Sequence, residues 1–140
     1  MTDIITAKNI LSQQNATFVA VKNEEIYISH KRGVTPIIEK IDENSAFFSG
    51  ATVADKVTGK AAAMLLVKYG VKELHTGVIS RNALSFLADK NITVTYDGSS
   101  NLFHLRIYFN YLFRIIGHKN RHFVLHLYKY IANIFKFADK

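Results

Sequence analysis

Apolar positions recur with two different periods along the first part of the chain, and the changes of period separate the elements. Between residues 3 and 14 the apolar positions are mostly three or four apart, which predicts a short amphipathic helix. Two β-rich runs, 17–21 and 26–29, flank a polar turn and predict an antiparallel hairpin. The Thr35-Pro36 pair fits an N-cap and a first helical residue, so a second short helix follows.

The residues after position 50 alternate helical and extended patterns. The predicted elements are a helix, a strand, a helix and a strand, at 55–69, 73–79, 81–90 and 92–96. Asp55 starts the first of these helices and Gly70 is its C-cap, while Ser80 caps the second helix. The alanines at 61–63 make one stretch of the first helix slim enough to pack closely on a sheet.

The predicted order is helix, two strands, two helices, strand, helix and strand. An antiparallel hairpin followed by β–α–β winding predicts an α/β fold built on a mixed sheet. We expect three layers, with the sheet in the middle. Phe47 and Phe48 fall in a loop or a short strand between the two central helices.

Composition divides the chain into two parts. Its 140 residues are 49% hydrophobic, which suits one folded domain with an appendage, and its formal net charge is +7. Residues 1–97 carry 11 basic and 10 acidic side chains, whereas residues 98–140 carry 7 basic side chains and a single acid, Asp139. We therefore predict a domain at 1–97 and an aromatic, basic tail at 98–140.

Cysteine is absent from the sequence. This absence excludes disulfides, cysteine nucleophiles, iron–sulfur clusters and thiolate-ligated zinc within the chain. The first 14 residues contain no apolar run long enough for a signal peptide, so we expect a cytoplasmic protein. We also expect no cofactor.

Three stretches carry a resemblance to a known family. They are HKRGVTPIIEKID at 30–42, SGATVADKVTGKAAAMLLVKYGVKELHTGVIS at 49–80 and NALSFLADKNITVTYD at 82–97, and the ADK-x-x-GKAAA block is the most specific part. Over about residues 1–97 the chain resembles the small prokaryotic family known as domain of unknown function 1893. The resemblance implies a cytidine-deaminase-like fold with a mixed sheet, and it supplies no function.

The chemistry of zinc deaminases can be compared with this layout. These enzymes need a His or Cys with a nearby Glu at one helix start, and a Pro-Cys-x-x-Cys motif at the next. The corresponding helix starts here are 54–56 and 80–83, and the first lacks His and Glu while the second lacks Cys. Three zinc ligands cannot be assembled from these residues, so we predict that zinc-dependent deamination is absent.

Two helix starts at one edge of a sheet present free amide groups and positive dipole ends, which suit a phosphate or carboxylate ligand. The candidate ligand-binding residues near this crevice are Asp55, Lys56, Gly59, Lys60, Ser80 and Asn82. The structural alternative is that Asp55 and Ser80 are N-caps, Gly59 permits close packing, and the lysines are solvated. Binding of a protein partner is the other binding function that we expect for this domain.

An enzyme is the second hypothesis for the crevice, with Asp55 and Lys56 as an acid/base pair. Adjacent residues at a helix start point in different directions, which weakens this hypothesis. The Arg32-Gly33 block lies either in a loop that reaches the crevice or in a turn into the next helix. His75 falls in a predicted strand, where a structural role is more frequent than a catalytic one.

Residues 98–140 match no part of the family pattern, which would continue with another strand and a Cys-Pro-x-Glu helix start. The tail is rich in Phe, Tyr, Ile, Asn and Lys and nearly free of acids. An out-of-frame reading of AT-rich coding sequence would give this bias, so a frameshift is one hypothesis for its origin. As a genuine product, its polar positions predict two helices joined near 117–120.

Three functions of the tail compete. A basic amphipathic hairpin suits a membrane surface, and a cationic aromatic surface suits single-stranded nucleic acid. The tail could also complete the core or form a homodimer. His118, His122 and His126 could share one helical face for Ni²⁺ or Zn²⁺, but no carboxylate lies nearby, so we predict no metal site.

Overall fold

The computed structural model describes residues 2–100 of the chain. Met1 and residues 101–140 lie outside the described residues. The tail helices, the histidine spacing and the membrane, nucleic-acid and homodimer surfaces therefore stay predictions. Within the described range, no helix is both long enough and apolar enough to cross a membrane.

Four helices and five strands form the described part of the chain. They are α1 (Asp3–Gln13), β1 (Phe18–Lys22), β2 (Glu25–Ser29), α2 (Thr35–Glu43), β3 (Thr52–Thr58), α3 (Lys60–Lys68), β4 (Glu73–Ser80), α4 (Arg81–Leu87) and β5 (Thr93–Ser100). The strand order in the sheet is β2-β1-β3-β4-β5. β1 is antiparallel to both of its neighbours, whereas β3, β4 and β5 are parallel. The predicted α/β class and mixed sheet are confirmed.

The predicted hairpin is present as β1 and β2, with Lys22 paired to Glu25 across the turn. Asn23 in this turn has a φ of 54°, a left-handed conformation that asparagine tolerates better than most residues. The start of α2 was predicted one residue too late, because Val34 is the N-cap and Thr35 is already helical.

The prediction was wrong between residues 52 and 59, where a strand replaces the expected helix start. β3 ends at Thr58, Gly59 is the N-cap, and α3 begins at Lys60. β3 lies between β1 and β4, and its first four residues are buried. A strand buried on both faces shows no alternation of apolar and polar residues. Its sequence therefore merged with the helical pattern that follows.

The boundaries of the later elements lie closer to those predicted from the sequence. Gly70 follows the C-cap residue Tyr69 and has a φ of 82°, a conformation that favours glycine. The Ser80 hydroxyl accepts a hydrogen bond from the Ala83 amide at 3.1 Å, which confirms the predicted cap of α4. β5 continues to Ser100, beyond the predicted end of that strand at 96.

The core lies on both faces of the sheet. A larger cluster includes Phe18, Ala20, Ile37, Val53, Leu66 and Ala83. A smaller cluster joins Val19 and Val21 of β1 to Ala7 of α1. Alternate strand residues point to opposite faces, so α1 covers one face while α2, α3 and α4 cover the other. Ala62 and Ala63 of α3 are buried in the larger cluster, where the slim stretch was expected.

Candidate functional site

The carboxyl ends of β3 and β4 lie side by side, because the two strands are parallel and paired. α3 follows β3 and α4 follows β4, so both helices begin at this edge of the sheet. Four of the six predicted site residues lie at these junctions: Gly59, Lys60, Ser80 and Asn82. Open α/β sheets commonly bind ligands at such an edge.

Asp55 and Lys56 lie inside β3, so their predicted position at a helix start is corrected. Adjacent strand residues point to opposite faces of a sheet. The exposed Lys56 donates from Nζ to Asn15 Oδ1 at 2.8 Å, after the end of α1. Asp55 shares the face of Val53, which belongs to the larger core cluster. The structure therefore does not bring Asp55 and Lys56 together as an acid/base pair, and Asp55 is not a helix cap.

Asp55 is instead the first member of a chain of short contacts within the sheet. One oxygen of its carboxyl group is 2.9 Å from the Thr58 hydroxyl, which is 3.0 Å from the Thr76 hydroxyl. The Thr76 hydroxyl donates to the carbonyl oxygen of Val78 at 3.0 Å. We name these four residues the Asp55 chain. Thr58 and Thr76 are completely buried, so water does not compete for their contacts.

Burial favours the neutral form of the Asp55 carboxyl group. Asp55 is 7% exposed. Its burial raises the pKa to about 7 from 3.8. This effect outweighs the hydrogen bonds from the Thr58 side chain and from the backbone of Val57 and Lys56, which favour the ionised form. Removing an ionised carboxylate from water costs more than these neutral donors return.

The start of α3 carries no anion of its own. Gly59 has no side chain with which to cap the helix, and the first turn contains no acidic residue. Lys60 and Ala61 are exposed. The first amide groups of a helix have no partner within it and form the positive end of its dipole. An anion that approached this end would therefore be stabilised.

The start of α4 differs from that of α3. The Ser80 hydroxyl already accepts the Ala83 amide, and Ser80 is 4% exposed. Ser80 is thus the N-cap of α4, which is the role it has in the structural alternative to a ligand site. Asn82 is the exposed second residue of this seven-residue helix. The α3 junction is consequently the stronger candidate for a ligand.

His75 lies on the opposite face of the sheet from the Asp55 chain. The buried imidazole has Nδ1 2.9 Å from Thr95 Oγ1 and Nε2 3.6 Å from Asp97 Oδ2. Burial, and then the positive charge of Lys8, lower the pKa of His75. His75 and Thr95 are direct partners in the β4–β5 ladder, so their hydrogen bond is a normal cross-strand contact.

The Arg32-Gly33 block lies in the loop between β2 and α2. Gly33 has a φ of 66°, which glycine adopts without strain. Lys31, on one side of it, pairs with Glu39 of α2. These contacts describe a turn that enters α2, the second of the two roles expected for this block.

A metal ion would need several donor side chains placed close together. Within residues 2–100, no group of three His, Cys, Asp or Glu side chains is placed to hold a metal ion. The corrected start of α3 moves the comparison with zinc deaminases from 54–56 to 59–61. That stretch also lacks His, Cys and Glu.

Sequence reasoning missed Thr58 and Thr76. The polar pair in Asp55-x-x-Thr58, directly before Gly59, is the signal that could have drawn attention to the first of them. Thr76 lies 18 residues further along the chain. Only the parallel pairing of β3 with β4 brings the two hydroxyls together, and β3 was not predicted.

The sheet order and the two helix starts define a mixed α/β domain with a candidate ligand site at the carboxyl edge of its parallel strands. A family model described as Domain of unknown function (DUF1893) matches residues 6–100. The chain belongs to this family, and the resemblance found in the sequence is confirmed at that level.

A solved structure supports the same assignment. The chain is similar to a DUF1893 family protein (TM1506) from Thermotoga maritima, whose crystal structure was determined at 2.70 Å resolution. The two are 26% identical, the TM-score is 0.65, and the match covers 72% of this chain and 69% of the other. No curated protein matches the chain significantly.

Proposed function

We propose that this DUF1893 domain binds a small anionic ligand at the carboxyl edge of β3 and β4, where α3 begins. The observation that carries the proposal is the Asp55 chain. Its carboxyl group is buried, has a pKa raised to about 7, and lies in β3 four residues before Gly59, the N-cap of α3. Titratable groups with strongly shifted pKa values are concentrated at functional sites.

The ligand that fits this edge is a phosphate, sulfate or carboxylate group. The first amides of α3 can donate hydrogen bonds to it, and Lys60 adds a positive charge at the first helical position. Asp55 in its neutral form adds no opposing charge beneath the site. The arrangement thus favours an anion while Asp55 retains its proton.

The cytidine-deaminase-like fold is part of the same proposal. An antiparallel hairpin joined to three parallel strands, with helices on both faces, supports it. The zinc chemistry of deaminases is not included, because neither helix start offers the residues that would ligate the metal. We therefore propose a binding domain without zinc-dependent catalysis.

Lys60→Ala tests the position of the site. Sulfate, inorganic phosphate and a nucleoside monophosphate are titrated into the full chain by calorimetry at pH 6 and constant ionic strength. We expect Lys60→Ala to weaken binding roughly threefold or more, because one charge at the helix start is lost. Lys68→Ala is the matched control, since Lys68 is an exposed lysine at the other end of the same helix.

The control should bind each anion as the parent chain does. Equal weakening by both substitutions would show that binding reflects overall charge. No measurable heat with any of the three anions would overturn the proposed function.

A further inference from the structure

We propose that the Asp55 chain connects β3 to β4 by hydrogen bonds across an irregular point in their ladder, and that this connection depends on one proton. All its hydrogen bonds form when Asp55 is neutral, and one is lost when Asp55 ionises. We call this connection the clasp. This inference concerns the conformation of the sheet. It does not depend on whether the adjacent edge binds an anion.

The irregular point lies at Lys56 and Gly77. The paired positions run from Asp55 with Thr76 directly to Val57 with Val78, and the intervening pair is skipped. The two backbones are close here, because a β-carbon on Gly77 would lie 2.9 Å from the carbonyl oxygen of Lys56. Regular pairing is therefore interrupted at this position.

The burial pattern changes phase at the same place. Residues three apart in a regular strand point to opposite faces. Asp55 and Thr58 are nevertheless both buried and in contact, whereas Val57 between them is 40% exposed. The irregularity thus turns Thr58 toward Asp55 and allows side chains to connect β3 to β4 where the backbone ladder is interrupted.

Counting protons shows which state completes the clasp. Three contacts join four oxygen atoms, from the Asp55 carboxyl group to the Val78 carbonyl. With Asp55 ionised, only the Thr58 and Thr76 hydroxyls supply protons, so one of the three contacts has no hydrogen. With Asp55 neutral, the carboxyl donates to Thr58, Thr58 to Thr76, and Thr76 to Val78. All three contacts are then hydrogen bonds.

The second carboxyl oxygen does not disturb this scheme. The Val57 amide donates to it at 3.3 Å, and this bond forms in either protonation state. The proton that decides the state of the clasp is therefore the one between Asp55 and Thr58.

Among the groups that surround Asp55, the proton on its own carboxyl group is the one that determines the state of the clasp. β1 and β4 place Phe18 and Thr76 opposite it, and neither side chain titrates in the neutral range. Lys56 points to the other face, and the basic residues that begin α3 and α4, Lys60 and Arg81, are exposed at the sheet edge.

His75 is the remaining titratable group of β4. It lies on the α1 face of the sheet with Thr95 and Asp97. A comparison of variants that both retain His75 removes its contribution to any dependence on pH.

Amide hydrogen exchange of the full chain tests the clasp. The parent and Asp55→Asn, whose carboxamide stays neutral, are compared at pH 5.5 and pH 8.5. The ratio of their rates at each pH cancels the intrinsic dependence of exchange on pH. We expect a ratio near one at pH 5.5 for Thr58 and Val78. At pH 8.5 the parent should exchange about tenfold faster there, because one buried hydrogen bond is lost.

The β1–β2 hairpin is the internal reference, and its ratio should be near one at both pH values. A ratio at Thr58 and Val78 that does not change with pH would overturn the proposal. The same change in the hairpin would also overturn it, because the effect would then be global.

A second measurement uses the parent chain alone. The ¹³C resonance of the Asp55 carboxyl group should titrate near pH 7, and the Thr58 and Thr76 resonances should move with the same midpoint. Thr58→Val removes the central hydroxyl and should abolish the response of Thr76. A midpoint near 4, the ordinary aspartate value, or an unchanged Thr76 response in Thr58→Val would contradict the clasp.

Discussion

Asp55 owes its properties to where β3 places it. In water its carboxyl group would be ionised at neutral pH. Within the sheet it is 7% exposed, and the resulting loss of hydration outweighs three hydrogen-bond donors. Lys56, the next residue, reaches the opposite face and bonds Asn15. Two neighbouring residues of the sequence thus have unrelated roles.

The raised pKa of Asp55 makes the stability of the protein depend on pH. The folded state keeps the proton up to a pH of about 7, whereas the unfolded chain loses it above 3.8. The unfolded state is therefore favoured increasingly as pH rises between these values, and the effect is constant above them. The free energy of unfolding should fall by at most about 4 kcal/mol across this window through Asp55.

Asp55→Asn should remove this contribution. We expect the variant to have a higher free energy of unfolding than the parent at pH 8, and a smaller loss between pH 5 and pH 8. Urea unfolding of the full chain at the two pH values measures both quantities. Parallel losses in parent and variant would show that Asp55 does not hold its proton in the folded state.

At the scale of elements, the junction of β3 with β4 is the structural feature on which the site depends. The backbones approach so closely at Gly77 that a side chain there must displace the carbonyl of Lys56. At Gly98 of the neighbouring β5, no atom of the described residues lies within 4 Å of an added β-carbon. Alanine substitutions at Gly77 and Gly98 can therefore be compared as test and control.

Gly77→Ala should lower the free energy of unfolding by about 2 kcal/mol, because the added methyl group meets rigid backbone. Gly98→Ala should change it by less than about 0.5 kcal/mol. Thermal or urea unfolding of the two full-length variants measures the difference. Equal effects would mean that the close approach at Lys56 is not a constraint in solution.

The elements that could be predicted are those with local signals. The hairpin has two β-rich runs around a polar turn, and Ser80 precedes a helical pattern whose cap it forms. β3 has no such signal, because a central strand lacks alternation and its Asp55-Lys56 pair reads as a helix start. This error placed two of the six candidate site residues, Asp55 and Lys56, at a helix start, whereas the structure places them inside a strand.

The partners of Asp55 could not be predicted for a related reason. Thr58 faces Asp55 only because the strand is irregular at Lys56 and Gly77. Thr76 reaches Thr58 only through the parallel pairing of β3 and β4. Both contacts depend on tertiary structure, whereas the residues at the two junctions, Gly59 and Ser80, could be located from their places in the chain.

At the scale of the whole molecule, charge and family membership divide the chain at nearly the same point. The family match ends at residue 100, and residues 98–140 carry 7 basic side chains and one acid. The family domain is close to neutral by comparison. The proposed affinity of this domain for an anion would therefore have to come from local geometry and not from net charge.

The tail should give the full chain a second, less specific affinity for polyanions. We expect a single-stranded oligonucleotide to bind the full chain with an affinity that falls steeply with salt, because phosphate contacts release counterions. A chain that ends at residue 100 should lose this binding in an electrophoretic shift assay. Binding by the shorter chain with the same salt dependence would assign it to the domain instead.

The central claim is that the carboxyl edge of β3 and β4 is an anion site built on the start of α3. The most direct measurement is an amide NMR titration of the full chain with sulfate, which stays dianionic, at pH 6 and constant ionic strength. The claim predicts saturable shifts largest at the amides of Lys60, Ala61 and Ala62, with the hairpin unchanged. Shifts spread over all exposed lysines, or none at these three amides, would contradict it.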